Sequence, residues 1–166
     1  MPVAIERPDS LIDWVGREIA VTDWFRVSQD RIQLFADVTE DHQWIHLDPE
    51  RAERESPHRT TIAHGFLTLS LLSRFLREAI QIRRDLRMTI NCGLNRVRFP
   101  SPVRAGSRIR ASFAVQSTRE LSDTLEVVFH VTVESEGNAK PCCVADWVIR
   151  YVRINDPSPS RTSLRF

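Results

Sequence analysis

Asp41 and His46 stand five residues apart inside the stretch FADVTEDHQWIHLDPERAERESPHRTTIAHGFLTLSLL, which runs from Phe35 to Leu72. A neutral imidazole can take a proton from water while a carboxylate accepts that water's other hydrogen bond. Cooperation between the two makes a demand on the backbone. On a helix a five-residue separation turns side chains roughly 140° apart, and on a strand it sends them to opposite faces. The segment between them must therefore be irregular. Thr39-Glu40-Asp41 ends the amphipathic run before the pair, and Asp48-Pro49 reads as an N-cap followed by proline at the first helical position. The pair is thus predicted on a connection between two helices. Spacing alone leaves a second reading open, since acids and histidines on loops also serve as solvated side chains or caps. His42 and His46 are spaced i, i+4 like metal ligands. The Asp48-Pro49 signal argues against a helix through His46, no third ligand is fixed, and the cysteines lie far off, so no metal site is expected.

His64-Gly65 opens GFLTLSLLSRFLREAI, with charges only from Arg74 onward. The run is too short to span a membrane, and a helix apolar on nearly all sides is a buried one. Its first N–H groups have no intrahelical partner and carry partial positive charge. Gly65 allows close approach to that backbone, so a carbonyl oxygen there would gain hydrogen bonds of the oxyanion-hole kind. A plain core helix with glycine at its entry is the competing reading.

DHQWIH, then DPERA, then TIAHGFLTLSLL, with the later GLNRVRFPSPVRAGSRIRA, resembles the MaoC-like dehydratase family, the (R)-specific enoyl-CoA hydratases with a hot-dog fold. The similarity runs roughly from Gly16 to Val152. Two departures stand out: Gln43-Trp44 where the family often has Asn-Pro, which looks closer to the NodN-like subgroup, and His58-Arg59-Thr60-Thr61 ahead of the His-Gly pair. The resemblance implies Asp41 and His46 as the catalytic pair and Gly65 as the contact for the substrate carbonyl. It implies supporting places for His64 and for Ser73, while Trp44 is a candidate wall of the acyl pocket. Arg96, Arg98 and Arg104 are candidates to meet the phosphates of CoA. The implied reaction is reversible addition of water to a trans-2-enoyl thioester, carried on CoA or acyl-carrier protein, giving an (R)-3-hydroxyacyl thioester without cofactor or metal. A hot-dog thioesterase and a non-catalytic acyl-CoA binding or assembly protein remain as alternatives.

The elements that must position these residues are legible in outline. The chain has 166 residues, 42% hydrophobic and 27% charged, with net charge +1. That is enough for one domain with a real core, and no global field favours nucleic acid or a membrane. The first ten residues have no signal-peptide character and are predicted as a loose arm. Three cysteines, two of them adjacent, make no disulfide framework, which fits a reducing cytoplasm. A short helix is expected through Leu11, Ile12 and Trp14, then a strand in EIAVTDWFRVS, then a helix from Gln29 to about Val38 capped by Ser28. Residues 48–54 read as a short charged helix, 55–62 as a loop that could act as a lid, and Ile80 to Arg87 as an exposed basic turn. Four strand-like segments follow from Met88, with clear alternation in Arg108 to Val115 and Leu125 to Val133. His130, opposite in phase to Phe129 and Val131, is predicted to face out.

This predicts an α+β fold: a single hot-dog domain over residues 1–152, with a curved antiparallel sheet of about five strands wrapped on a central buried helix. Residues 153–166 read as a Ser/Pro-rich tail, disordered or draped on a partner. The open sheet edges, together with the resemblance, predict a homodimer.

Overall fold

The structure is a computed structural model and describes residues 1–154. Beyond Arg153 and Ile154 the predicted tail lies outside the described residues. In chain order come β1 (Val3–Ile5), a 3-10 helix (Pro8–Trp14), β2 (Glu18–Val21), β3 (Phe25–Arg26) and α1 (Gln29–Thr39). Then follow α2 (Trp44–Leu47), α3 (Pro49–Glu55), α4 (Gly65–Ser70), α5 (Leu72–Ala79) and β4 (Ile80–Ile82). The C-terminal half supplies β5 (Leu86–Arg98), β6 (Arg108–Leu121), β7 (Thr124–Ser135) and β8 (Cys143–Arg153).

Alternation decides the sheet. Ile109, Ala111, Phe113 and Val115 of β6 are fully buried, as are Val127, Phe129, Val131 and Val133 of β7. The residues between them carry charge outward, where Arg110 bonds Glu134, and Arg150 bonds Glu126. The strands pair antiparallel in the order β2-β6-β7-β8-β5, with β3 continuing along β6 beyond β2. The predicted first strand is therefore split. The Thr22 hydroxyl accepts from the Ala111 N–H at 3.0 Å, a side chain standing in for the ladder where the backbone bends away.

The inner face closes on the central helix, which buries Leu67, Leu71, Leu72, Phe75, Leu76 and Ala79 against β6, β7 and β8. The single predicted helix has an irregularity at Leu71 (φ −69°, ψ −14°). Hydrogen bonds from Leu71 N–H to Leu67 and from Phe75 N–H to Leu71 carry the ladder across it. All-round burial is not observed: Phe66 is 69% exposed, and Ser70, Ser73, Arg74 and Arg77 also face solvent. The helix presents one apolar stripe, as a helix packed on a single sheet must.

The N-terminal arm is not loose. β1 pairs parallel with β4, Val3 opposite Ile80 and Ile5 opposite Ile82, so the expected exposed turn gives up its first three residues to a strand. Val3 and Ile5 pack on the core through this pairing. Segments this short carry no periodicity that sequence can reveal. Among the described residues no helix is long and apolar enough to cross a membrane.

Candidate active site

Ser28 caps α1 by accepting from the Arg31 N–H, and the helix runs as far as Thr39. Glu40 then takes a left-handed conformation (φ 60°, ψ 17°), which turns the chain out of the helix and frees Asp41. His46 sits in α2, a single helical turn where the Asp48-Pro49 signal argued against one. The reason is that Asp48 serves two helices. Its N–H bonds the Trp44 carbonyl at 3.0 Å to close α2, and its carboxylate accepts from the Arg51 N–H at 2.9 Å to open α3. The loop before His64 is anchored rather than lid-like at its end: Thr61 is buried, and Ile62 pairs with Arg104.

These turns bring the side chains together. One ligand atom each from Asp41, His46 and His64 lie within 4.8 Å of one another. His46 is 7% and His64 3% exposed, while the Asp41 side chain remains 55% exposed. The His46 Nδ1 lies 2.7 Å from the Ile62 carbonyl oxygen. A carbonyl only accepts, so Nδ1 carries the proton and the lone pair of the neutral ring is on Nε2. By the same logic His64 Nε2, 3.0 Å from the Asp41 carbonyl, donates, and it stands 3.9 Å from the Asp41 carboxylate. His64 Nδ1 is buried with no partner among the described residues. The two imidazoles stack at 3.7 Å with their planes 25° apart, and the Phe35 ring lies tilted beside His64 at 5.1 Å.

Burial pushes the His46 pKa below its ordinary 6.5, and the neighbouring His64 pushes the same way. The hydrogen bond to Ile62 and the Asp41 carboxylate oppose the shift without cancelling it. His46 is therefore a neutral base near pH 7. A tetrahedral metal would need donor atoms about 3.3 Å apart. Two nearly parallel rings cannot both aim in-plane lone pairs at one ion, so the trio suits a water better than a metal. His42 is exposed and sits against Asp37 at 3.3 Å.

An open cleft of about 350 Å³ has His46, Gly65, Thr68, Phe99, Val103 and Cys142 on its wall. Gly65 is the first residue of α4, so its N–H is among those the helix ladder leaves free. Cys142 supplies no nucleophile, because burial pushes its thiol up to about 12. An imidazole and a helix-start amide thus face one space, and the Asp41 carboxylate lies within 4.8 Å of that imidazole. The MaoC-like domain model matches residues 13–137. The chain belongs to the MaoC-like family.

This MaoC-like chain is 47% identical over 138 residues to 3-hydroxyacyl-thioester dehydratase Z of Mycobacterium tuberculosis, covering 82% of this chain and 90% of the relative. It is 46% identical over 135 residues to nodulation protein N of Rhizobium leguminosarum bv. viciae, covering 81% and 84%. The solved structure of the (R)-hydratase from A. caviae, 24% identical, superposes with a TM-score of 0.64 over 81% of this chain and 94% of that one. That likeness bears out the hot-dog fold.

The remaining predicted site residues are dispersed. Trp44 is half-buried under Arg51, which stacks on its ring at 4.4 Å, and it is not on the cleft wall. Ser73 lines a different cavity of about 590 Å³, with Leu76, Trp147 and Tyr151. Arg96 and Arg98 share a concavity with His130 and Asp146, which are bonded at 2.7 Å. Arg104 lines a polar pocket with His58 that meets the cleft at Ser101 and Pro102. Thr68 and Phe99 carry no signature in the sequence. Both reach the cleft only because the helix and the strand end converge there.

Proposed function

We propose that this chain adds water reversibly to trans-2-enoyl thioesters, giving (R)-3-hydroxyacyl thioesters. The observation that carries this reading is the cleft with both His46 and Gly65 on its wall and the Asp41 carboxylate within 4.8 Å of His46. Two hydrogen bonds of about 2.8 Å span up to about 5.6 Å, so one water fits between carboxylate and imidazole. The substrate carbonyl oxygen accepts from the Gly65 N–H, which draws electrons from C3. His46 Nε2 takes a proton from the water as its oxygen bonds to C3. A proton then reaches C2 from the same group of Asp41, His46 and water, so that one H2O is added and no charge is left over. The relative named as a 3-hydroxyacyl-thioester dehydratase supports the same bond change in reverse. Loss of absorbance at the crotonyl-CoA double bond, with 3-hydroxybutyryl-CoA as product, tests the reading. Free CoA as the product instead would identify a thioesterase.

The pH dependence follows from His46. Its folded pKa lies below 6.5, so the neutral base persists to lower pH than a free imidazole would allow. The acid limb of kcat/KM is expected below pH 6.5, and a limb at or above that value contradicts the assignment.

The working unit we propose is a homodimer joined through β5. This edge strand exposes Met88 at 46%, Ile90 at 41% and Leu94 at 38%, an apolar edge that an isolated chain leaves open to pairing. Ile90→Glu is expected to sediment as a monomer where the wild type sediments as a dimer. An unchanged sedimentation coefficient removes β5 from the interface.

A further inference from the structure

Gln29 opens α1, yet its side chain ends against the turn that carries His46. Its Nε2 donates to the His46 carbonyl at 2.8 Å, and its Oε1 accepts from the Thr61 hydroxyl. Thr61 is 1% exposed, and its own carbonyl accepts from the Ala105 N–H at 2.9 Å. The next residue, Ile62, holds His46 from the other side. It accepts from Nδ1 at 2.7 Å and donates its N–H to the Ile45 carbonyl at 3.0 Å. One primary amide thus completes a ring of hydrogen bonds around the base, joining segments 17 and 32 residues apart in the chain.

A one-turn helix has almost no ladder of its own and cannot set its own orientation. The backbone bonds that tie α2 to its caps include His46 N–H to Gln43 and Asp48 N–H to Trp44. Neither one fixes the His46 carbonyl, and rotation of that peptide plane would swing the imidazole. We propose that Gln29 and Thr61 are positioning residues for His46: the amide fixes the peptide plane, the hydroxyl fixes the amide, and together they set the direction of Nε2. The inference rests on His46 being the base. It also gives α1 a double role, with its first residue holding His46 and its last leading to Asp41.

The test uses crotonyl-CoA hydration and the histidine side-chain 15N spectrum. Gln29→Ala and Thr61→Val are each expected to lower kcat about tenfold to a hundredfold with KM held within about twofold, the signature of a misdirected group. Thr61→Ser keeps the hydroxyl and is expected to stay near the wild-type rate. The 15N spectrum is expected to show His46 as a single Nδ1–H tautomer in the wild type and as a mixture in Gln29→Ala.

A second route to the same rigidity gives a stricter arm. Trp44 is the first residue of α2, and its N–H makes no hydrogen bond among the described residues. Gln43 before it is already extended at ψ 133°. Proline therefore fits at position 44 and stiffens the turn from within. The Gln29→Ala loss is expected to shrink in a Trp44→Pro background. Equal losses in both backgrounds overturn the proposal. So does a Thr61→Ser rate as low as that of Thr61→Val, or an unchanged kcat and 15N spectrum in Gln29→Ala. A wild type without hydratase activity whose His46 tautomer still depends on Gln29 rejects the proposed reaction and leaves the clamp standing.

Discussion

Asp41→Asn and His46→Gln are each expected to lower kcat for crotonyl-CoA hydration by about 10³-fold, in the middle of the range that a positioned acid or base contributes. The two side chains share one water, so the double substitution is expected to be little worse than the more damaging single one. A fall near the product of the two would mean that they act independently. Stability gives the control. The Asp41 side chain is more than half exposed, so Asp41→Asn is expected to leave folding within about 0.5 kcal/mol. His42, the next residue, is exposed and faces Asp37, so His42→Ala is expected to leave the rate within about twofold. Wild-type rates in either catalytic variant would remove the acid/base pair from the reaction.

The grouping of the candidate site residues was readable because it is written in short spacings. Asp41, His46 and His64-Gly65 all lie in one stretch, and the structure brings them to one place. Ser28 and Asp48 cap the helices expected of them, and alternation over Arg108 to Val115 and Leu125 to Val133 sorts inner from outer residues. What the sequence hid depends on distance along the chain. The pairing of β1 with β4 joins residues 3–5 to residues 80–82, each too short to show a period. The turn of α2 was hidden because Asp48 is both the end of one helix and the start of the next. Gln29 shows only as an ordinary first helical residue; its contact with His46 exists because the chain returns past it. Arg96 and Arg98 read as plausible neighbours of the substrate, but their strand positions place them beside His130 and Asp146 in a concavity apart from the cleft.

Gly65→Ala separates the carbonyl contact from simple packing. Gly65 does not have the positive φ that would demand glycine, so alanine is allowed by the backbone there. What an added Cβ meets is the ring of Phe99, three atoms of it at 3.2 Å. That ring is 41% exposed and can yield by a few tenths of an ångström, so the stability change is expected to stay within about 1 kcal/mol. Activity is expected to fall much further, by about 10²-fold, because the methyl stands where the carbonyl oxygen must approach the N–H and displaces it by about 1 Å. Removing the ring distinguishes the two causes. In Gly65→Ala with Phe99→Ala the crowding is gone, yet the methyl still stands before the amide, so the rate is expected to remain low relative to Phe99→Ala alone. Recovery of the rate in that double variant would show that a displaced Phe99 caused the loss, and the Gly65 N–H would no longer be the group that holds the thioester oxygen.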